Sequence, residues 1–283
     1  MLDGIPDRGG APCFPIVFTR QLLERVSGEE MSMPDARSAE DVALLEKLVG
    51  SSPSLASTRG WGARFGRELN ASDDKALFWS GPTGWPVLEG KHVHPFQVRV
   101  PPSVSRLRPG AEFCASLQRA AFERPRLGYR DVACPTNRLT LIAAMLPAES
   151  VTVHTVFCLK TSLPDDEQWF LCGVLNSFVA NFLVRLRVTT HVTTAIVSRL
   201  PVPRPAPGSS ALAGIAELAH ELAGCPRPEE SREYVDLQGR VARLYQLTEG
   251  EMAHLLGTFP LVPAATRSAV LRGFAATEPR RRG

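Results

Sequence analysis

Val151-Thr152-Val153-His154-Thr155-Val156-Phe157 sets the character of this chain. Branched and apolar side chains alternate there with a period of two, which sends successive residues to opposite faces of a strand. Ten residues further on the period changes. Between Glu167 and Arg187, the residues Leu171, Leu175, Phe178, Phe182 and Leu186 recur every three or four positions, so a mostly apolar helix is predicted. Strands that run into one buried helix, without βαβ alternation, predict an α+β fold rather than a doubly wound sheet.

Upstream of this stretch, strands are predicted at Gln97–Val100, Arg126–Ala133 and Leu139–Met145. The last two join Val151–Leu159 through short turns containing proline, which predicts an antiparallel meander. A short helix is expected at Glu112–Phe122, and Pro82-Thr83-Gly84-Trp85-Pro86 is turn chemistry. Towards the N-terminus, a short helix is predicted at Arg20–Val26. A longer one is capped by Ser38, carries Val42, Leu45, Leu48 and Val49 on one stripe, and ends at Gly50. Downstream, His191–Val197 is predicted as a final strand. Pro205, Pro207, Gly208, Ser209 and Ser210 then read as a linker, followed by helices at 211–223, 231–246 and after the capping box Thr248-Glu249-Gly250-Glu251. The expected organisation is a connector over residues 1–55, a β-rich domain with antiparallel strands and a buried helix over 56–205, a small helical segment over 206–265, and a disordered tail over 266–283.

With 283 residues, 44% hydrophobic and 22% charged, the chain can bury a substantial core. The apolar stretch Trp169–Val188 is interrupted by Asn176, Ser177, Asn181, Arg185 and Arg187, so no membrane span is predicted. Met1–Arg8 has neither a basic nor an apolar leader segment, and a cytoplasmic location is expected. None of the six cysteines forms a Cys-x-x-Cys pair, so reduced thiols are expected rather than a zinc site or disulfides. The formal net charge is +3, and lysine occurs only at positions 47, 75, 91 and 160. An excess of arginine beside much alanine and proline reflects a GC-rich genome. Only the placement of the arginines therefore bears on function.

Several chemistries are missing. A Gly-rich turn for S-adenosylmethionine and an Asn/Asp-Pro-Pro-aromatic loop for an amino base are both absent, and the sole Pro-Pro pair, Pro101-Pro102, follows Val100. There is no Walker loop and no Gly-x-Ser-x-Gly elbow. Glu89-Gly90-Lys91, with Asp35 far upstream, matches half of a Mg²⁺-dependent nuclease pattern, which stays open as an alternative. Lys91-His92-Val93-His94 has no second ligand cluster and reads as a hydrogen-bonding loop. No catalytic, metal or cofactor residue is assigned.

Four polar clusters border the apolar segments. They supply Arg64, Arg67 and Asn70; Lys91, His92 and His94; Arg126, Arg130, Asn137 and Arg138; and Asn176, Asn181, Arg185, Arg187, Thr189 and His191. These residue types reach both phosphates and base edges. Asn176 and Asn181 read equally as buried amides that hold a neighbouring loop. Glu68 and Glu89 read as partners of arginine or backbone.

The order of these clusters carries a resemblance. Phe65-Gly66-Arg67-Glu68-Leu69-Asn70, then Pro86-Val87-Leu88-Glu89-Gly90-Lys91 and Pro95-Phe96, resembles the entry to the target-recognition region of type IIG N6-adenine DNA methyltransferases of restriction–modification systems. Leu127-Gly128-Tyr129-Arg130-Asp131-Val132-Ala133 and Thr136-Asn137-Arg138-Leu139-Thr140-Leu141 resemble its central strands. Leu175-Asn176-Ser177-Phe178-Val179-Ala180-Asn181 and Leu200-Pro201-Val202-Pro203 resemble its closing helix and strand. The helix bearing Tyr234, Leu237, Val241 and Tyr245 is similar to the family's C-terminal helices. The similarity spans about Pro12 to Val262 and implies a TaqI-like specificity domain that docks on double-stranded DNA.

In that family a methyltransferase domain precedes this region, and here it is missing. The resemblance therefore implies a partner that binds S-adenosylmethionine and flips the adenine. Arg67, Arg130, Arg138 and Arg187 would meet phosphates or guanine, and Asn137, Asn181 and His191 base edges. The resemblance leaves open a separately encoded specificity part, a split gene or a decayed remnant, and a non-DNA assembly subunit whose C-terminal helices bind a partner is the other alternative.

Overall fold

The structure is a computed structural model that describes residues 16–111 and 122–276. Two helices come first, α1 (Arg20–Ser27) and α2 (Ala39–Gly50), the second capped as predicted by the Ser38 hydroxyl, which accepts the Asp41 N–H. Short strands follow: β1 (Phe65–Gly66), β2 (Phe78–Trp79), β3 (Val87–Leu88), β4 (Val93–His94), β5 (Gln97–Val98) and β6 (Arg106–Leu107). Then come β7 (Arg126–Arg130), β8 (Ala143–Leu146), β9 (Val151–Thr152) and β10 (Val156–Leu159). The helices α3 (Asp165–Leu175), α4 (Phe178–Arg185), α5 (Thr194–Ser198), α6 (Ser210–Gly224), α7 (Arg232–Leu244), α8 (Glu249–Gly257) and α9 (Ala264–Ala276) complete an α+β fold. No helix among the described residues is long and apolar enough to cross a membrane.

The largest sheet runs in the order β1-β10-β7-β8, with all neighbours antiparallel. The expected meander is therefore corrected: β7 lies between β10 and β8. The cause is a turn at His154-Thr155, closed by Val156 N–H donating to the Val153 carbonyl, which splits the predicted 151–159 strand. Its first half, β9, pairs in parallel with β3, and its second half returns to β7. Being central, β7 buries Leu127, Gly128 and Tyr129. A Cβ on Gly128 would lie 2.7 Å from the buried Leu146 side chain, which would have to shift to admit a larger residue.

The predicted 167–187 helix is two helices. The Asn176-Ser177 pair ends α3 and starts α4, where the Ser177 hydroxyl accepts the Ala180 N–H and Gln238 accepts the Phe178 N–H. The predicted strand at His191–Val197 is α5 instead. The Thr193 hydroxyl caps its first turn, and only the Val132–His191 bridge keeps a trace of strand pairing. The tail expected from residue 266 is helical as far as Ala276, with Val270 and Phe274 buried. The helix predicted at Glu112–Phe122 lies outside the described residues apart from its last position. The predicted Leu139–Met145 strand becomes regular only at Ala143, because a side chain of α4 takes up the backbone N–H groups of residues 140 and 141.

One apolar cluster runs through most of the molecule, from Leu22 and Leu45 of the N-terminal helices through Tyr129, Phe170 and Phe182 to Tyr234, Leu255 and Phe274. Helix α3 sits at its centre, with the sheet on one side and α6 and α7 on the other. Cys158 and Cys172 are buried free thiols within this framework, and Cys134 and Cys225 are also free.

Candidate nucleic-acid interface

The sequence offered many polar side chains as contacts, and the fold divides them into two sets. The first set is consumed inside. Asn181 is fully buried on α4, where its Oδ1 accepts the N–H groups of Thr140 and Leu141, both at 2.8 Å. Its Nδ2 donates to the carbonyls of Leu141 and Ser177. One amide thus replaces the strand partner that residues 140–141 lack, which is why β8 starts late. Asn176 does the same for Ala143, accepting its N–H at 3.1 Å and donating to its carbonyl at 2.8 Å. Asn181 is therefore a structural residue and leaves the set of DNA contacts, because an amide with its bonds satisfied in the core has none to offer a base.

Arg126 leaves the set for a related reason. Its guanidinium grips Glu68 in a fork, Nε to Oε1 at 2.6 Å and Nη2 to Oε2 at 2.8 Å, and also donates to the Ser150 carbonyl. Glu68 accepts the N–H and hydroxyl of Thr152 as well, both at 2.8 Å. Burial alone would raise the Glu68 carboxyl. The hydrogen bonds and charges of Arg126, helped by Lys160 and Thr152, outweigh burial and hold it below the ordinary value. Three segments far apart in sequence are tied together by this pair.

Other candidates serve loops. Arg185 donates Nη1 to the Thr258 carbonyl at 2.8 Å and Nη2 to the Asn137 carbonyl at 2.7 Å, pinning the 137–140 loop to the end of α8. Burial, and then the charge of Arg37, lowers its pKa to about 10. Arg138 is ion-paired with Glu229. The Asn70 side chain accepts the Ser72 N–H and closes a local turn. His92 is buried, with Nδ1 accepting the Glu89 N–H at 3.0 Å in a reciprocal cap of the short helix Gly90–His92. Arg187 donates to the Ile196 carbonyl at 3.2 Å. Arg64, Asn137 and Thr189 are exposed.

The second set gathers at the end of β7. Asp131, itself buried, accepts from Arg67 Nη2 at 3.2 Å and lies 3.3 Å from His191 Nδ1. Its backbone is fastened on both sides: its N–H donates to the Thr155 carbonyl, and its carbonyl accepts the Val192 N–H at 2.7 Å. The Arg67 guanidinium also lies 5.0 Å above the Phe157 ring. Against the same edge stands the loop after β3. Gly90 N–H donates to the Thr155 hydroxyl at 2.9 Å, and a Cβ at Gly90 would meet the Arg130 stem at 3.7 Å. The hairpin β4–β5 then adds His94 and Arg99, closed by Phe96 in the left-handed region at φ 66°.

His94 is half-buried in this company. Burial first, and then the charges of Arg99, Arg130 and His92, push its pKa below the ordinary histidine value. The imidazolium form is thus disfavoured beside two guanidiniums. Lys91 pairs with Glu89 at 2.7 Å and Arg67 with Asp131. Arg99 and Arg130 have no carboxylate within ion-pair reach among the described residues. Beneath them the Tyr129 hydroxyl is buried without a hydrogen-bond partner.

This rim therefore unites Arg67, Lys91, His94, Arg130 and His191 from the sequence candidates. Arg99 and Asp131 complete it: Asp131 stood within the quoted Leu127–Ala133 stretch but not among the candidate contacts, and Arg99 was not singled out. Arg99 continues the alternation of Gln97 and Val98 beyond the hairpin, and that was the available signal. The nuclease pairing is not assembled: Asp35 lines a cleft with α4 and α8, whereas Glu89 stands by Thr155. No group of three or more His, Cys, Asp or Glu able to hold a metal occurs among the described residues. The rim can attract anions through its guanidiniums and exchange directed hydrogen bonds through a neutral imidazole. In comparisons with known proteins, the chain matches no family model and no curated protein.

Proposed function

We propose that the rim at the end of β7 is a double-stranded DNA-binding face, and that the chain is the target-recognition part of an adenine-N6 methyltransferase system. The methyltransferase domain, with its S-adenosylmethionine, would lie outside this region, in the same polypeptide or in a partner subunit. The observation that carries this reading is the convergence of Arg67, Lys91, His94, Arg99 and Arg130 from separate loops onto one edge, with Arg99 and Arg130 free of carboxylates among the described residues. A structural role would spend such arginines on acids or carbonyls, as Arg126 and Arg185 are spent. Among the described residues Arg130 makes no such bond and Arg99 makes only a long one, 3.4 Å from Nη2 to the Gln97 side-chain oxygen, so both suit phosphate oxygens or the paired acceptors of guanine.

In this reading Arg99 and Arg130 supply charge, while His94, in its favoured neutral form, offers one donor and one acceptor to a base edge. Asp131 acts through others by orienting Arg67 and His191. Selection from a randomised duplex pool, at low and at physiological salt, tests the proposal. Enrichment of one short motif containing adenine is the expected result. Binding without enrichment that salt abolishes would reduce the face to nonspecific electrostatics, and no binding at either salt would sink the proposal.

A further inference from the structure

A second set of arginines lies outside the rim, in a notch between the N-terminal helices and α5. The notch has a volume of about 340 Å³ and is lined by Arg25, Gly50, Ser52, Ser54, Arg199 and Pro201, with Val49 at its side. That is room for far more than one water molecule, whose share of liquid volume is about 30 Å³.

Its walls are built rather than incidental. Leu55 N–H donates to the Leu200 carbonyl at 2.8 Å, Val202 N–H donates to the Pro53 carbonyl, and Ser54 bridges Pro201, so the serine segment and the segment after α5 are clamped together. Arg199 is held by packing on Gly28, whose missing Cβ leaves the space that the guanidinium fills.

The charges in this place do not balance. Arg25 and Arg199 line the notch, and Arg187 stands close enough behind for its charge and that of Arg199 to repel. Burial first, then Arg199, lowers the Arg187 pKa to about 10, and Glu30 is the acid that acts against this. None of the three arginines has a carboxylate within 4 Å among the described residues. The carboxyl end of α2 adds a partial negative charge of about one half. Positive charge therefore exceeds negative, beside two serine hydroxyls that can donate hydrogen bonds.

We infer that this notch is a binding site for a phosphate group, held by Arg25 and Arg199 with the Ser52 and Ser54 hydroxyls, and backed by Arg187. A phosphate would relieve the repulsion and accept from both guanidinium forks. The same chemistry is offered by a DNA phosphodiester or by a free phosphate compound, and the test has an arm for each.

In the first arm the whole chain is melted in inorganic phosphate and in chloride at equal ionic strength. The wild type is expected to gain a few degrees in Tm in phosphate. Arg25→Gln with Arg199→Gln is expected to lose that gain. Ser52→Glu, which places a carboxylate at the notch, is expected to melt higher without phosphate and to be indifferent to it. This variant keeps the test decisive if the arginine pair is poorly folded. In the second arm the affinity of the same variants for a short duplex is measured against salt. A weaker affinity with a slope smaller by about 0.9 for each lost phosphate contact identifies the phosphodiester as the source. An unchanged duplex affinity with a lost phosphate effect identifies a free phosphate ligand. If the duplex is not bound at all but the phosphate effect is present, the DNA-recognition proposal fails and the notch stands. If the variants match the wild type in both arms, the notch is not a phosphate site.

Discussion

The layer beneath β8 and the rim at the end of β7 are made of the same kinds of residue, yet they use them in opposite ways. Beneath β8, Asn176, Asn181, Glu68 and Arg126 are buried, and nearly every polar atom has a partner. At the rim, Arg99, Arg130 and His94 are less enclosed, and the two arginines lack carboxylates among the described residues. A buried polar group must find its bonds inside the protein, because an unmet donor or acceptor there costs about 1–3 kcal/mol. A rim residue has water to meet its needs and can exchange that water for a ligand. An arginine or asparagine therefore signals binding only when the fold leaves it unspent.

This contrast is sharpest at Glu68–Arg126. Arg126→Met should destabilise the fold by about 3–5 kcal/mol, since it strands a buried carboxylate. Chemical denaturation measures this, and a loss below 1 kcal/mol would remove the pair from the interior set. The pH dependence has a definite sign. The Glu68 carboxyl is depressed in the fold, so its stabilisation is full above the unfolded glutamate value of about 4.3 and fades as pH falls through the lower folded value. In Arg126→Met the folded Glu68 value rises, because burial then acts with less opposition, so the acid-induced loss traceable to this group should shrink or reverse.

Asn181→Ala comes next. It leaves the Thr140 and Leu141 N–H groups unmet, and a loss of about 2–4 kcal/mol is expected from the cost of such groups. The folded fraction should bind DNA as the wild type does. A stable Asn181→Ala protein that had lost DNA affinity would return this residue to the interface and break the comparison.

The rim should respond in reverse. Arg99→Gln with Arg130→Gln is expected to leave stability within about 0.5 kcal/mol, while lowering duplex affinity and reducing the salt slope by about 1–2. The same pair removes two charges that disfavour the His94 cation, so the His94 pKa should rise when followed by NMR. With that pKa below the ordinary value, the wild-type fold loses stability as pH falls below about 6.5. The double variant should lose less. The smallest effect is expected for Tyr129→Phe. The hydroxyl it removes is buried without a partner, so stability should hold or improve by up to about 1 kcal/mol. A marked loss would mean that the hydroxyl does serve Asp131 or Arg67 above it.

Local signals in the sequence decided most elements that are governed by neighbours in the chain. Ser38 and Thr248 cap helices where they were expected to, α6 and α7 lie close to the predicted 211–223 and 231–246, and the α+β class followed from the switch of period near residue 160. The order of the central strands was not legible, because pairing is chosen by packing between distant segments. A two-residue turn at His154-Thr155 was enough to send β9 and β10 to different partners. The strand expected at His191–Val197 became α5, since the Thr193 cap and burial of Val197 outweighed a β-branched composition that is only a weak preference.

For the site, the sequence by itself determined the inventory: which loops carry Arg, Asn and His, and that no cofactor motif accompanies them. Only the tertiary structure decided which of these side chains are consumed. It buried Asn181, paired Arg126 with Glu68 and set Arg130 beside His94. The physical reason is that a hydrogen bond or ion pair is settled by proximity in space, and these partners lie tens of residues apart along the chain.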